Sequence, residues 1–268
     1  KSDLCRWDRW TGRIHIHTLT MKHMGGWRYH SMNYELFKLL TFDVVGTLID
    51  FEKGIVTFFN EIGCEAPPPA ILESFGKAEG QQQLETPEMP FTQMLEPIYD
   101  RMAPSLKLPK KHGRDFRGSI EIWPAFPDSV EALRCLGSRY RLVALTNADN
   151  WALEHMARTL GDPFDDTVTC EDVGVNKPDP QIFAFCRGRQ SVFGFGLAET
   201  LHVAQSQYHD IGVSMRLGYV TCWIERRRSD DGFGATPAPE TVTEPDLHFA
   251  TLAELADDIE SSAVELKG

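Results

Sequence analysis

The stretch FDVVGTLID (residues 42–50) decides the fold and points to the chemistry. An apolar run that begins near Leu39 ends on a single acid, Asp43, and Gly46-Thr47 follow at once. A short apolar run closed by glycine is typical of a buried strand. A carboxylate at the end of such a strand is held in a rigid frame, which makes Asp43 a candidate nucleophile. The alternative is that Asp43 has no catalytic role and only forms the turn before Gly46.

The rest of the chain divides into a helical block and an alternating block. Residues 52–121 contain three amphipathic patterns broken by Pro and Gly, with no strand signal between them. From residue 122 onward strand and helix patterns alternate, which predicts a parallel sheet with helices on both faces. We therefore expect an α/β fold with a Rossmann-like doubly wound parallel sheet. Its core comprises residues 36–51 and 122–268, and an inserted helical cap domain comprises residues 52–121.

Residues 1–35 are expected to form an N-terminal extension that is either non-native or flexible. The segment is rich in Trp and His without periodicity, and Met32 has the look of a natural start just before the first strand. A family-specific arm, a transit peptide and a His/Cys metal site remain alternatives, although the spacings match no usual zinc pattern.

The net charge of the chain limits the classes of partner that it is expected to bind. The net charge is −12, so a nucleic-acid or anionic-membrane partner is not expected, because a phosphate backbone repels such a field. The basic run Arg226-Arg227-Arg228 is interpreted as a solvated loop start.

Six scattered cysteines without a CxxC pair indicate reduced thiols and a cytoplasmic location. The sequence contains no apolar stretch near the roughly 20 residues that span a bilayer.

Four polar signals follow successive predicted strands, and they should converge on one edge of the sheet. They are Asp43 with Thr47, Thr146-Asn147, Lys177, and Asp210. Ligands of open α/β sheets bind at the carboxyl ends of the strands. Lys177 would hold Asp43 ionised, and Thr146 and Asn147 would donate hydrogen bonds to a bound anion or leaving group. For Asp210 a helix N-cap role is the alternative.

In these motifs the chain resembles the haloacid dehalogenase-like (HAD) hydrolase superfamily. The resemblance rests on DxxGT at 43–47, the strand ending in Thr146, KPDP at 177–180 and the acid at 210. The type II 2-haloacid dehalogenases are the most similar branch, through FDVVGTLID, LTNAD, KPDPQIF and the segment from His202 to Arg227. The resemblance implies catalytic roles for Asp43, Thr47, Thr146, Asn147, Lys177 and Asp210.

Val45 favours displacement at carbon over phosphate transfer. Phosphatases of the superfamily carry a second Asp at this place to protonate an alkoxide, which valine cannot do and which a halide leaving group does not need. The predicted reaction is attack by Asp43 on a small 2-halo carboxylic acid through an aspartyl ester. Gln205 also favours displacement at carbon over a magnesium-dependent phosphatase, because its neutral amide is a poor ligand for a hard cation.

The substrate-binding residues are predicted less directly. We expect Val44, Val45, Lys77, Trp123 and Ser206 to line the pocket. Dehalogenases of this branch use a cap arginine, and the matching segment GKAEGQQQLE offers only Lys77 nearby. Phe183 stands where they carry a tyrosine. His209 is interpreted as a solvent-facing residue at a helix start.

Two other functions remain open. One is a magnesium-dependent phosphatase or phosphonate hydrolase, with Asp43, the carbonyl of Val45 and Asp210 as ligands. The other is a non-catalytic ligand-binding protein on the same fold. The leading interpretation needs no cofactor and predicts a small anionic substrate. The resemblance also implies a homodimer, and hinges near residues 50–54 and 120–124.

Overall fold

The structure is a computed structural model that describes residues 32–229 and 232–265. The strands are β1 (Leu39–Phe42), β2 (Arg141–Thr146), β3 (Asp166–Thr169), β4 (Thr200–Ala204), β5 (Val220–Ile224) and β6 (Leu247–Phe249). The helices are α1 (Phe51–Glu61), α2 (Pro68–Glu85), α3 (Phe91–Met102), α4 (Gly113–Gly118), α5 (Ser129–Gly137), α6 (Asn150–Thr159), α7 (Cys170–Val173), α8 (Pro180–Ser191), α9 (Gly212–Arg216) and α10 (Leu252–Glu265). Short 3₁₀ turns cover Tyr34–Leu36, Ser119–Ile122 and Leu197–Glu199, and a π-helical turn covers Gln207–Ile211.

The strands form one parallel sheet in the order β3-β2-β1-β4-β5-β6. β1 lies between β2 and β4, and all four of its residues are buried. The predicted α/β class and parallel sheet are therefore confirmed. The chain leaves β1 toward β2 on one side and returns to β4 on the other, so the carboxyl end of β1 is a topological switch point where ligands bind.

The helices α1–α4 lie between β1 and β2 and form the predicted helical cap. Their packing is aromatic: Phe59 stacks on Tyr99, and both contact Phe116. The chain enters and leaves this block side by side, because Ile49 bridges Ala125 and the Asp50 amide donates to the Pro124 carbonyl. The two crossings of the chain between core and cap therefore lie next to each other.

The N-terminal boundary differs slightly from expectation. Tyr34 is buried and its hydroxyl donates to Asp258, so the packed structure begins before the predicted boundary at residue 36. The predictions for residues 1–31 lie outside the described part of the chain. Within that part, no helix is both long and apolar enough to cross a membrane. The five cysteines it contains, Cys64, Cys135, Cys170, Cys186 and Cys222, are free thiols.

The interpretation of Arg226 as part of a solvated loop was wrong. Its side chain is 5% exposed and forms an ion pair with Asp128 at 2.7 Å. Its Nε also donates to the carbonyl of Thr47 at 2.9 Å. Sequence patterns miss this because the partner lies 98 residues away. Asp128 stands at the N-cap position of α5, but its carboxylate accepts the amides of Leu252 and Ala253 at the start of α10.

Gly54 allows α1 to pack closely against Trp123, where the chain leaves the cap. A methyl group at Gly54 would lie 2.4 Å from a ring carbon of Trp123. We expect Gly54→Ala to lower the free energy of unfolding by about 1–3 kcal/mol through overpacking, measured by urea denaturation. The control is Gly188→Ala in α8, where the added methyl meets nothing within 4 Å and helix propensity improves. Equal stability of the two variants would contradict this account.

Candidate active site

The side chains of Asp43, Lys177 and Asp210 meet at the carboxyl end of β1. Lys177 Nζ lies 2.8 Å from Asp43 Oδ1 and 2.7 Å from Asp210 Oδ1. It also donates to the carbonyl of Leu145 at 2.9 Å. All three charged side chains are buried. One cation therefore balances two carboxylates in a site largely closed to water.

Thr47 fixes the second oxygen of the nucleophile candidate. Its hydroxyl donates to Asp43 Oδ2 and accepts the Gln205 amide at 2.8 Å. Both oxygens of Asp43 are thus oriented by donors, one from Lys177 and one from Thr47. A carboxylate held in this way needs little reorganisation before it reacts with a bound molecule.

Asn147 lies in the site, but its amide makes contacts other than those expected. Its Nδ2 donates to the carbonyl of Lys177 at 3.0 Å, and its Oδ1 accepts the amide of Lys177 at 2.7 Å. The side chain therefore holds the backbone that carries the lysine. Thr146 lines the cavity and its Oγ1 accepts the Ala148 amide at 3.2 Å, which leaves its hydroxyl hydrogen available to a ligand.

Asp210 does not cap the following helix. It lies within the π-helical turn Gln207–Ile211, and such turns often re-aim side chains at functional sites. Its Oδ1 contacts Lys177 and lies 3.1 Å from His202 Nε2. Its Oδ2 is buried and has no hydrogen-bond partner among the described residues. Nothing in the local sequence pattern identifies His202, which lies on β4 beneath the site.

Burial shapes the charges of the three groups. It raises the pKa of Asp43, a rise that Lys177 opposes and the nearby charge of Asp210 reinforces. For Asp210 burial also acts upward, but Lys177 and His202 outweigh it and lower the pKa. Burial alone would lower the pKa of Lys177, yet the two carboxylates raise it. Asp43 is thus the less compensated carboxylate, and Lys177 does not hold its pKa down as expected.

A small cavity of about 50 Å³ lies above these groups. This is room for about three or four water molecules, or for a small organic molecule. From the core it is lined by Asp43, Val45, Thr146, Asn147, Lys177, Gln205, Ser206, His209 and Asp210. From the cap and its entrance it is lined by Phe51, Glu79, Gln83 and Phe91, and from the loop after β5 by Ala235, Thr236 and Pro237.

Three of the predicted substrate-binding residues lie elsewhere. Val44 is fully buried in the core, because its side chain points to the opposite side of the chain from that of Val45. Lys77 is on the exposed face of α2 and pairs with Glu73. Trp123 is buried against Gly54 and donates to Ser119 Oγ at 3.1 Å. Val45 and Ser206 do line the cavity.

Sequence reasoning missed the contributions from α2 and from the loop after β5. Glu79 and Gln83 lie one turn apart on α2, on the face turned to the cavity rather than the face that carries Lys77. Thr236 Oγ1 lies 3.3 Å from Gln205 Oε1, which ties the loop to the site. The usable signal is spacing, because Glu79 lies four residues after Phe75 and eight after Ile71, on the apolar stripe of α2.

His209 also differs from its predicted position. It is half-buried, lines the cavity, and its Nδ1 lies 3.2 Å from Ser206 Oγ. Burial lowers the pKa of His209 to about 4, so the ring is neutral at neutral pH. The site therefore contains a neutral imidazole in place of a second cation.

A sequence model described as haloacid dehalogenase-like hydrolase matches residues 37–203. The chain belongs to this family. The matched region contains Asp43, Thr146, Asn147 and Lys177, and it ends just before Asp210.

Individual relatives of this HAD hydrolase agree with the family. It is 26% identical to (S)-2-haloacid dehalogenase 4A of Burkholderia cepacia over 217 residues, which are 75% of this chain and 88% of the relative. It is 24% identical to (S)-2-haloacid dehalogenase H-109 of Pseudomonas putida over 75% of this chain and 92% of that relative.

A solved structure supports the fold of this HAD hydrolase. An L-2-haloacid dehalogenase from Xanthobacter autotrophicus, solved with chloropropionic acid covalently bound, superposes with a TM-score of 0.63 at 18% identity. The match covers 84% of this chain and 98% of that one. At this identity the likeness shows the shared α/β fold with its cap, and nothing further.

Proposed function

We propose that this HAD hydrolase displaces halide from a small 2-halo carboxylic acid, with Asp43 as the nucleophile. The observation that carries the proposal is the pairing of a buried, oriented Asp43 with Val45. The position two residues after the nucleophile supplies no proton, which suits a leaving group such as halide that departs without one. The small cavity fits a substrate of a few heavy atoms. The two haloacid dehalogenase relatives support the same reaction class.

In the first step a carboxylate oxygen of Asp43 attacks the carbon that bears the halogen. The new carbon–oxygen bond forms as the carbon–halogen bond breaks, and the electron pair leaves with the halide. Lys177 and Thr47 keep the carboxylate aligned for this attack. The free hydroxyl hydrogen of Thr146 is placed to stabilise developing negative charge. Attack from the side opposite the halogen inverts the configuration at that carbon.

In the second step water attacks the carbonyl carbon of the Asp43 ester. Asp210 Oδ2, which lacks a partner among the described residues, is the group proposed to accept the proton of that water. The bond between the carbonyl carbon and the substrate oxygen then breaks, and that oxygen takes the proton held by Asp210 and leaves as the hydroxyl of a 2-hydroxy acid. The Asp43 carboxyl group, which has gained an oxygen atom from water, loses the remaining proton to solvent and returns to the carboxylate. Lys177 stabilises the returning negative charge, as it does in the resting site.

We propose that no metal is required. One oxygen of each candidate carboxylate ligand, Asp43 and Asp210, is already held by Lys177. Gln205 is neutral and its Oε1 contacts Thr236. In the described part of the chain, no cluster of three or more His, Cys, Asp or Glu side chains is arranged to hold a metal ion. This donor set fits a hard dication poorly.

The test is halide release from racemic 2-chloropropionate with excess EDTA. We expect release by the parent, consumption of one enantiomer, and an inverted 2-hydroxy acid as product. The (S) enantiomer is the expected substrate, in keeping with the named relatives. Halide release only after magnesium is added would contradict the metal-free mechanism. The absence of release under both conditions would contradict dehalogenation.

The raised pKa of Asp43 predicts how activity depends on pH. The nucleophile must be ionised, so activity falls as pH falls through its pKa. Because burial raises that pKa, the acid limb should lie above the ordinary aspartate value of 3.8. The measurement is kcat/KM for halide release across the acid range, because this ratio reports ionisation of the free enzyme, with protein stability checked at each pH. A rate that stays constant down to the ordinary value would contradict this.

Three further properties are proposed on the family resemblance. They are a homodimeric assembly, a cytoplasmic location, and hinged opening of the cap near residues 50–54 and 120–124. Closure of the cap would exclude water while the ester forms. The contacts that hold the cap on the core include the ion pair of Arg117 with Asp149, at 2.9 Å.

A further inference from the structure

Glu79 places a third buried carboxyl group at the cavity, on the side opposite the core. It is 4% exposed and lies on α2, the cap helix that faces Asp43 across the cavity. Its Oε1 accepts a hydrogen bond from Gln83 Nε2 at 3.0 Å. Its Oε2 is buried and has no hydrogen-bond partner in the described residues. A buried polar atom without a partner is costly, so a ligand that supplies one is favoured.

The protonation state of Glu79 determines what that partner is. Burial raises the pKa of Glu79 to about 8, and the hydrogen bond from Gln83 only partly opposes this. At neutral pH the group therefore carries a proton. A protonated carboxyl is a hydrogen-bond donor. The atom that completes the site is then an acceptor on the bound molecule.

The charged groups around Glu79 are otherwise engaged. From the core, Lys177 is bonded to Asp43 and Asp210, and His209 is neutral. From α3, Arg101 is held by Gln82 and Glu85. From α1, Glu52 pairs with Arg227. Among the described residues that line the cavity, no cation is free to meet a substrate carboxylate.

We propose that Glu79, through its Oε2–H group, binds the carboxylate of the substrate and so determines the specificity for 2-halo acids. This role of Glu79 rests on the proposed function, because it concerns the carboxylate end of the same substrate whose halogen-bearing carbon reacts with Asp43. A hydrogen bond from a carboxylic acid to a carboxylate is charge-assisted and short. It allows an anion to enter a buried cavity without a dedicated cation. Once Glu79 ionises, its charge repels the same carboxylate.

The sign of the pH dependence follows from this. Binding is fully present below a pH of about 8 and is lost as pH rises, because the neutral form of Glu79 is the binding form. With one ionisation the apparent dissociation constant should rise by about tenfold for each further pH unit. This basic limb is separate from the acid limb set by Asp43.

The test measures binding of propionate, a carboxylate that cannot react, by calorimetry at neutral and alkaline pH. The parent should bind at neutral pH and weaken above about pH 8. Glu79→Gln keeps a neutral donor and should bind at a level that does not change with pH. Glu79→Ala should weaken binding by about 10- to 100-fold at neutral pH. The control is Glu73→Gln on the exposed face of α2, which should follow the parent.

Two results would overturn the proposal: pH-independent or absent propionate binding in the parent, or a pH dependence in Glu79→Gln that matches the parent. Halide release from 2-chloropropionate is measured separately on the same samples. Propionate binding with the predicted pH dependence but no halide release would support the role of Glu79 and refute the proposed reaction. Halide release together with pH-independent binding of propionate would support the proposed reaction and refute the role of Glu79.

Discussion

Replacing Asp43 by asparagine is expected to abolish halide release, with a loss of at least about 10³-fold in kcat. The amide retains the shape of the side chain but lacks the negative charge that attacks carbon. Its neighbours are largely preserved, because Lys177 keeps its bond to Asp210 and Thr47 can still donate to the amide oxygen. The measurement is steady-state halide release at saturating substrate, with folding checked by urea denaturation.

The matched control for this variant is Asp162→Asn. Asp162 lies in the turn after α6 at a φ of 52°, a conformation that asparagine adopts as readily as aspartate. The same chemical change far from the cavity should leave kcat unaltered. Retention of more than a tenth of the parental kcat by Asp43→Asn would mean that another group performs the attack.

Replacing Lys177 by methionine is expected to have the second-largest effect. The change removes a cation that lies within hydrogen-bond distance of both Asp43 and Asp210, and these two buried carboxylates lose its compensating charge. Breaking a buried ion pair by removing one partner costs about 3–5 kcal/mol. Activity at neutral pH should also be lost, because the pKa of Asp43 rises further and its nucleophilic form is depleted.

The destabilisation of Lys177→Met should shrink at mildly acidic pH. A carboxylate whose pKa is raised by folding binds more protons in the native state, so stability increases as pH falls. The control is Lys77→Met on exposed α2, whose loss should be undetectable by urea denaturation. Equal free energies of unfolding for the two variants would contradict the shared-lysine arrangement.

The sheet and the polar edge could be predicted because the signals were local. The apolar run before Asp43 defines β1, and each strand–helix alternation places its polar terminus at the same edge. Asp43, Lys177 and Asp210 therefore converge as expected. Parallel topology brings these side chains to one edge, but the contacts of Lys177 also depend on the loop between α7 and α8, whose backbone Asn147 holds in place.

The residues whose positions in the structure differ from the predicted ones depend on contacts with distant parts of the chain or on the rotation of a helix about its axis. Arg226 is buried only because Asp128 reaches it from another element. Lys77 and Glu79 are two positions apart on α2, so one faces solvent and the other faces the cavity. A two-residue shift rotates a side chain by more than half a turn, and the sequence does not specify which face of a weakly amphipathic helix is inward.

The conformation of the loop after β5 also escaped prediction. Its composition is polar and rich in Pro and Gly, which indicated only an irregular segment. In the structure the Ala235 amide donates to Glu52 at 2.7 Å, and Thr243 and Gln207 exchange backbone–side-chain hydrogen bonds. These individual hydrogen bonds bring the loop onto the cavity, and no periodic pattern encodes them.

The central claim is that Asp43 forms a covalent ester with the substrate carbon. The most direct test is turnover of 2-chloropropionate in water enriched in the heavy oxygen isotope, followed by mass analysis of the peptide that contains Asp43. Heavy oxygen is expected to enter the Asp43 carboxyl group, because water attacks the ester at its carbonyl carbon. Heavy oxygen found only in the 2-hydroxy acid from the first turnover, with Asp43 unlabelled, would contradict it.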